Sequence, residues 1–182
     1  ADRLLTDVER SSVRISDLVA SIKQYSHMDQ SSERQAVDVH DGLDSTLTML
    51  GHEIRKKSVR IVQEYADDLP NVSAYPGELN QVWTNLLDNA FDAVEEGGEV
   101  KINTRREGPI VCVTVTDNGS GIPEDIREKI FDPFFTTKEP GSGTGLGLEI
   151  VHRIIRQHDG RINVTSEPGR TAFEVCLPVA EG

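Results

Sequence analysis

The sequence predicts a two-layer α/β sandwich: a mixed, mostly antiparallel sheet with helices on one face, preceded by a long N-terminal helix. Three observations carry this expectation. Residues 76–95 form one strongly amphipathic helix, with Leu79, Val82, Trp83, Leu86, Leu87, Ala90 and Val94 on a single stripe. Two pairs of alternating segments, EVKINTRRE with IVCVTVTD and RINVTSE with TAFEVCLP, read as hairpins around Gly108–Pro109 and Pro168–Gly169. Between them, residues 118–144 are rich in Gly, Pro and Thr and lead into a helix over 145–158 that Asp159–Gly160 closes. A connection that long inside a compact domain is usually a functional lid.

The remaining elements follow in order. Residues 3–28 read as one helix with Val8, Ile15 and Ile22 spaced by seven and Leu4, Leu18 and Tyr25 as companions. A seam of that length favours packing against a partner helix, in a bundle or a homodimer. DQSSER is polar and turn-like, so residues 29–35 are expected to be a linker and 36–182 a compact domain. A short strand is expected at 36–39. A single helix over 40–57 would place Leu43, Leu47, Leu50 and Ile54 on its inner face. Residues 58–65 alternate as a strand, and ADDLPNV reads as a loop.

Composition narrows the function classes. With 182 residues, 36% hydrophobic and 27% charged, the chain can bury a real core and is not disordered. A net charge of −12 repels nucleic-acid backbones, which disfavours general nucleic-acid binding. A bound polyanion must then be held by local devices: backbone N–H groups, a metal or a single lysine. Cys112 and Cys176 sit in strand-like segments, and nothing else suggests a disulfide scaffold. Reduced core thiols and a cytoplasmic location are expected. No run reaches the length of a membrane span, and no signal peptide is evident.

Four motifs could carry chemistry. In NLLDNAFDAV, Asn85 and Asn89 lie four apart, beside the apolar stripe and not on it. Solvated asparagines would explain the pair; so would hard amide ligands for Mg²⁺. In DNGSGI, Asp117 leaves a strand as an acceptor, and Gly119 and Gly121 permit close backbone approach before Ile122. Asp-Asn-Gly is also an ordinary turn signal. In GSGTGLGLEIV, glycines at 141, 143, 145 and 147 sit where a loop becomes a helix, a place where bare N–H groups and the helix dipole bind phosphate. Neither a P-loop nor a Rossmann context surrounds them. In FDPFFTTK, Phe131, Phe134 and Phe135 could anchor the lid or form a satellite core, and Lys138 is its most plausible mobile phosphate contact.

Taken together and in this order, the motifs over about 36–180 resemble the catalytic ATP-binding domain of two-component sensor histidine kinases, within the superfamily that includes DNA gyrase, Hsp90 and MutL. NLLDNA is similar to the N box, DNGSGI to the G1 box, FDPFFTTK to the F box and GSGTGLGL to the G2 box. The resemblance implies a Bergerat fold that binds ATP or ADP. By it, Asn89 holds Mg²⁺, Asn85 supports the phosphates, Asp117 reads adenine in the Gly119–Gly121–Ile122 turn, and Thr171 helps hold the adenine end. Ser142, Gly143, Thr144, Gly145, Leu146, Gly147 and Leu148 wrap the phosphates as the lid closes. Many members carry a basic or aromatic residue three places after the second asparagine; here it is Asp92, which resembles the nitrogen-regulation type. Lys138 would supply the missing charge.

Hydrolases of this superfamily keep a glutamate as base four residues before the Mg²⁺ asparagine. Here that position is Asn85, and an amide takes no proton. Phosphoryl transfer needs mostly positioning and charge stabilisation, so the domain can present ATP while another segment brings the nucleophile. The resemblance therefore implies a protein-histidine kinase with Asn85 and Lys138 in the transfer site, its own dimerisation and phosphotransfer domain as acceptor, and a response regulator as the next partner. Residues 1–28 would be the second helix of that incomplete bundle, with the acceptor histidine upstream of the chain. An ATP-binding regulatory module or pseudokinase, and an anti-sigma-type serine kinase, are the alternatives. His52, followed by Glu53, Ile54 and Arg55, mimics an acceptor box, but it falls inside the ATP-binding domain and off the apolar stripe, so it is expected on the surface.

Overall fold

The structure, a computed structural model, describes residues 33–181. The helix expected over 3–28 and most of the 29–35 linker lie outside the described residues. Chain order is β1 (Gln35–Val37), α1 (Val39–Met49), α2 (Gly51–Lys56), β2 (Arg60–Glu64), β3 (Val72–Ala74), α3 (Pro76–Ala93), β4 (Glu99–Glu107), β5 (Ile110–Asp117), α4 (Gly147–Gln157), β6 (Arg161–Glu167) and β7 (Arg170–Pro178). A five-stranded sheet runs β2-β4-β5-β7-β6, and β1 pairs with β3 in a small separate sheet. Only β2–β4 is parallel within the main sheet; its other pairings are antiparallel, as expected.

Period-two alternation sets the two faces of the sheet. Val100 and Ile102 of β4, Val111, Val113 and Val115 of β5, and Phe173, Val175 and Leu177 of β7 are buried in one cluster with the α3 stripe and with Ile150, Val151, Ile154 and Ile155 of α4. Every α3 residue named above is buried, Trp83 and Leu87 completely. The outer face is polar and ion-paired: Lys101 with Glu64 at 2.7 Å, and Arg105 with Glu107 at 2.7 Å and Glu174 at 2.8 Å.

Three local readings change. The helix expected over 40–57 breaks at Leu50, which closes α1 and opens α2. Gly51 follows the break, and Lys57, beyond α2, donates through Nζ to the carbonyls of Phe91 (2.6 Å) and Val94 (3.3 Å) at the end of α3. The loop expected around 66–72 runs into β3, a three-residue strand fixed by pairing with β1. The expectation of reduced thiols is overturned: Cys112 and Cys176 are disulfide-bonded. They are direct partners in the β5–β7 register, with Cα atoms 4.1 Å apart. That juxtaposition across 64 residues of chain exists only once the strands pair.

Candidate nucleotide-binding cleft

A cleft of about 1270 Å³ opens between α3, the 118–146 connection, the start of α4 and the β6–β7 turn. Its deep end is built by strands. Asp117 ends β5, Thr171 lies opposite it on β7, and the two are 4% and 3% exposed. One Asp117 carboxylate oxygen accepts the Gly119 N–H at 2.9 Å, while the residue lines the cleft. Burial pushes the Asp117 carboxyl above its ordinary range, and the Gly119 N–H pulls partly the other way.

The wall beside it is a hydrogen-bonded chain. Ser166 pairs with Thr171 in the hairpin register; their hydroxyls lie 2.7 Å apart, and Ser166 Oγ accepts the Ile122 N–H at 2.7 Å. Arg127 spans the same corner, donating to the carbonyls of Ser166 (2.8 Å) and Ile122 (3.3 Å). Gly121 has φ +85°, and a Cβ there would sit 2.5 Å from the Glu167 carbonyl oxygen. The turn is thus clamped against the β6–β7 hairpin, and only glycine fits.

The open end is built by one helix face and a loop. Asn85, Asp88, Asn89 and Asp92 line it from α3. Asn85 Nδ2 donates to the Gly147 carbonyl at 3.2 Å, tying α3 to the first turn of α4. Burial, then the charge of Asp92, pushes the Asp88 carboxyl up, and Lys138 draws it down. Lys138 forms an ion pair with Asp92, and a Cβ on Gly143 would meet its stem at 3.0 Å. At the base of the lid Phe134 donates its N–H to Gly145 O at 2.9 Å. Gly145 has φ +68° and no room for a Cβ, which would lie 2.4 Å from the Phe134 carbonyl carbon. Phe131 packs on Phe173 and His152, with centroids 6.5 and 5.4 Å away, and Phe135 is half-buried on the core. Phe134 is 65% exposed, so two of the three phenylalanines anchor the lid and the third does not.

Of the residues singled out from sequence, Asn85, Asn89, Asp92, Asp117, Gly121, Ile122, Phe135, Lys138, Gly143, Thr144, Gly145, Gly147, Leu148 and Thr171 line this one cleft. Gly119, Ser142 and Leu146 do not line it, Ser142 being exposed; a Cβ on Gly119 would lie 2.4 Å from the Ala93 carbonyl oxygen, so it packs the turn on the end of α3. Among the lining residues that escaped the sequence reading are Asp88, Arg127 and Ser166. Ser166 was reachable by counting back from Thr171 across the Pro168–Gly169 turn. His52 is exposed on α2 and does not line the cleft.

Comparison with known proteins agrees with this geometry. Residues 74–181 match the family described as histidine kinase-, DNA gyrase B- and HSP90-like ATPase. The sensory histidine kinase/phosphatase NtrB of Rhodobacter capsulatus is 37% identical over 181 residues, covering 92% of this chain and 50% of NtrB. The chain spans half or less of the length of the curated relatives it matches first. Among solved structures, the catalytic domain of histidine kinase ThkA superposes with TM-score 0.74 at 33% identity, covering 81% of this chain and 96% of that one. ThkA in complex with the response regulator protein TrrA aligns at TM-score 0.75 and 29% identity, over 91% of this chain and 48% of that one.

Proposed function

This chain belongs to the family of histidine kinase-, DNA gyrase B- and HSP90-like ATPases, and from that premise we propose that it binds Mg-ATP and donates the γ-phosphoryl group to a histidine on its parent kinase's dimerisation and phosphotransfer domain. The observation that carries this reading is the division of one cleft into a buried acceptor end and a glycine-rich, amide-lined end. The donor set fits the nucleotide and its metal. Asn85 and Asn89 offer hard amide oxygens beside the carboxylates of Asp88 and Asp92. Gly143 and Gly145 line the cleft without side chains, and Gly145 holds a left-handed backbone packed on Phe134, so their backbone N–H groups are the groups this loop can offer a phosphate.

Each residue then has a role. Asp117 accepts from the adenine amine, and Thr171 and Ser166 hold that end of the ring. Asn89 would hold Mg²⁺, which screens phosphate charge when bound. Gly143–Gly147 and Lys138 receive the phosphates, aided by the positive end of the α4 dipole. In the transfer the bond from the γ-phosphorus to the bridging oxygen breaks, a bond to an imidazole nitrogen forms, ADP leaves and the imidazole loses a proton. Asn85, occupied with Gly147 and unable to take a proton, does not activate water, so hydrolysis is slow and transfer is favoured.

Residues 36–182 are the ATP-binding domain in this reading, with 29–35 as a linker and 1–28 as part of the dimerisation and phosphotransfer region. A response-regulator aspartate receives the phosphoryl group next; the solved ThkA complex with TrrA supports a partner of that kind. Among the described residues no helix is long and apolar enough to cross a membrane; the cytoplasmic location in this reading follows from the proposed ATP-dependent kinase role and not from the cysteines, which are paired. Titrating ATP and ADP with and without Mg²⁺ by calorimetry tests the reading: Mg²⁺-dependent binding is expected, and no heat at millimolar nucleotide overturns it.

A further inference from the structure

We propose that Asp92 is a positioning residue for the lid: it holds Lys138 through an ion pair in the nucleotide-free protein and surrenders it to the phosphates when nucleotide binds. The inference rests on the ATP-binding reading above, but it assigns Asp92 to the lid and not to the nucleotide. The geometry is on α3 and in the lid alone. Lys138 is 46 residues from Asp92 in sequence, yet its Nζ is bonded to an Asp92 carboxylate oxygen. Its stem lies where a side chain on Gly143 would go, and its own N–H donates to Thr136 Oγ1 at 3.1 Å. Both ends of the pair line the cleft. The lid's cation is thus parked at the amide-lined end, beside the glycines.

The pair is made to be exchanged. The Lys138 and Asp92 side chains are 37% and 54% exposed. A pair in that setting contributes little to stability, so a polyphosphate with several charges outbids one carboxylate for the same ammonium. Asp88 lies one turn away on the same face and lines the cleft, so Lys138 faces two carboxylates while parked. The pair also answers a question of composition. A chain of net charge −12 that binds a polyanion would gain from a basic residue at position 92, yet carries an acid there. A carboxylate is understandable if its partner is the lid's lysine.

Two measurements on the full chain test this. In the nucleotide-free protein, hydrogen exchange over the lid segment 132–146 should speed up about two- to fivefold in Asp92→Asn, equally in Lys138→Met, and no further in the double variant. Calorimetry should find that Asp92→Asn binds Mg-ATP about two- to fivefold tighter, with adenosine affinity unchanged, and that the gain vanishes in the Lys138→Met background. An equal gain in both backgrounds overturns the proposal, because Asp92 then acts only by repelling phosphate. Unchanged lid exchange in Asp92→Asn overturns it as well. If the unsubstituted protein binds no nucleotide, the ATP-binding reading itself fails, whatever the lid does.

Discussion

The two ends of the cleft are built on opposite principles. At the deep end, Asp117 and Thr171 stand directly opposite on neighbouring strands, under 5% exposed, with Ser166, Ile122 and Arg127 closing a hydrogen-bonded wall around them. At the open end, the functional groups sit on one exposed helix face and on a loop whose glycines carry left-handed backbone, and the ion pair there is half-exposed. Buried, hydrogen-bonded groups cannot rearrange cheaply, so in the proposed reading the deep end selects a ligand by shape and hydrogen bonding. Exposed, screened groups exchange partners at low cost, so in the proposed reading the open end can adapt to a phosphate chain that arrives, reacts and leaves.

This contrast can be broken at either end, and the effects should differ in size. The largest belongs to Asp117→Asn, which keeps the shape but sets an amide donor against the adenine amine. Nucleotide affinity should fall on the order of a hundredfold by calorimetry, with the circular dichroism spectrum retained. Next is Thr171→Val, which breaks the Ser166 chain and leaves a buried hydroxyl short of a partner. A loss of about tenfold for adenosine and ATP alike is expected; a loss confined to ATP would assign Thr171 to the phosphates and erase the distinction. Lys138→Met acts at the other end: ATP affinity should drop about tenfold or less, adenosine should bind as before, and the melting temperature should stay within about a degree.

The smallest effect is a pH dependence carried by Asp117. Burial raises its folded-state carboxyl above the ordinary 3.8, so the folded protein favours the protonated form. The stabilisation from that proton is fully present below the ordinary value and is lost as pH rises through the raised one. Recognition runs the other way, because the adenine amine needs an ionised acceptor. Between the ordinary value and neutrality, falling pH should therefore stabilise the free protein slightly while weakening nucleotide binding. Asp88 is raised with the same sign, so the comparison is made against Asp117→Asn, in which the Asp117 share of both slopes disappears.

Much of this was legible before any coordinates. The α3 stripe, both hairpins and their turns follow from periodicity and from Gly and Pro placement, and each matches an observed element. Fourteen residues singled out from sequence line one cleft. The misses have a common cause. β3 is three residues long and exists because β1 pairs with it. The break at Leu50 leaves the apolar spacing through Ile54 intact, so periodicity runs through it. The Ser166 bond to Ile122 and the Arg127 bond to Ser166 span 44 and 39 residues, which no local pattern encodes.

What the chain determined by itself, then, is the order of its elements, the buried faces and the amide in place of a base at position 85, because these depend on alternation, turn chemistry and residue chemistry. What the tertiary structure decided is who meets whom. Strand register put Asp117 against Thr171 and joined Cys112 to Cys176, and lid packing put Lys138 on Asp92. Such pairings are set by summed packing and hydrogen bonding across the whole sheet and core, a quantity no short stretch of sequence contains.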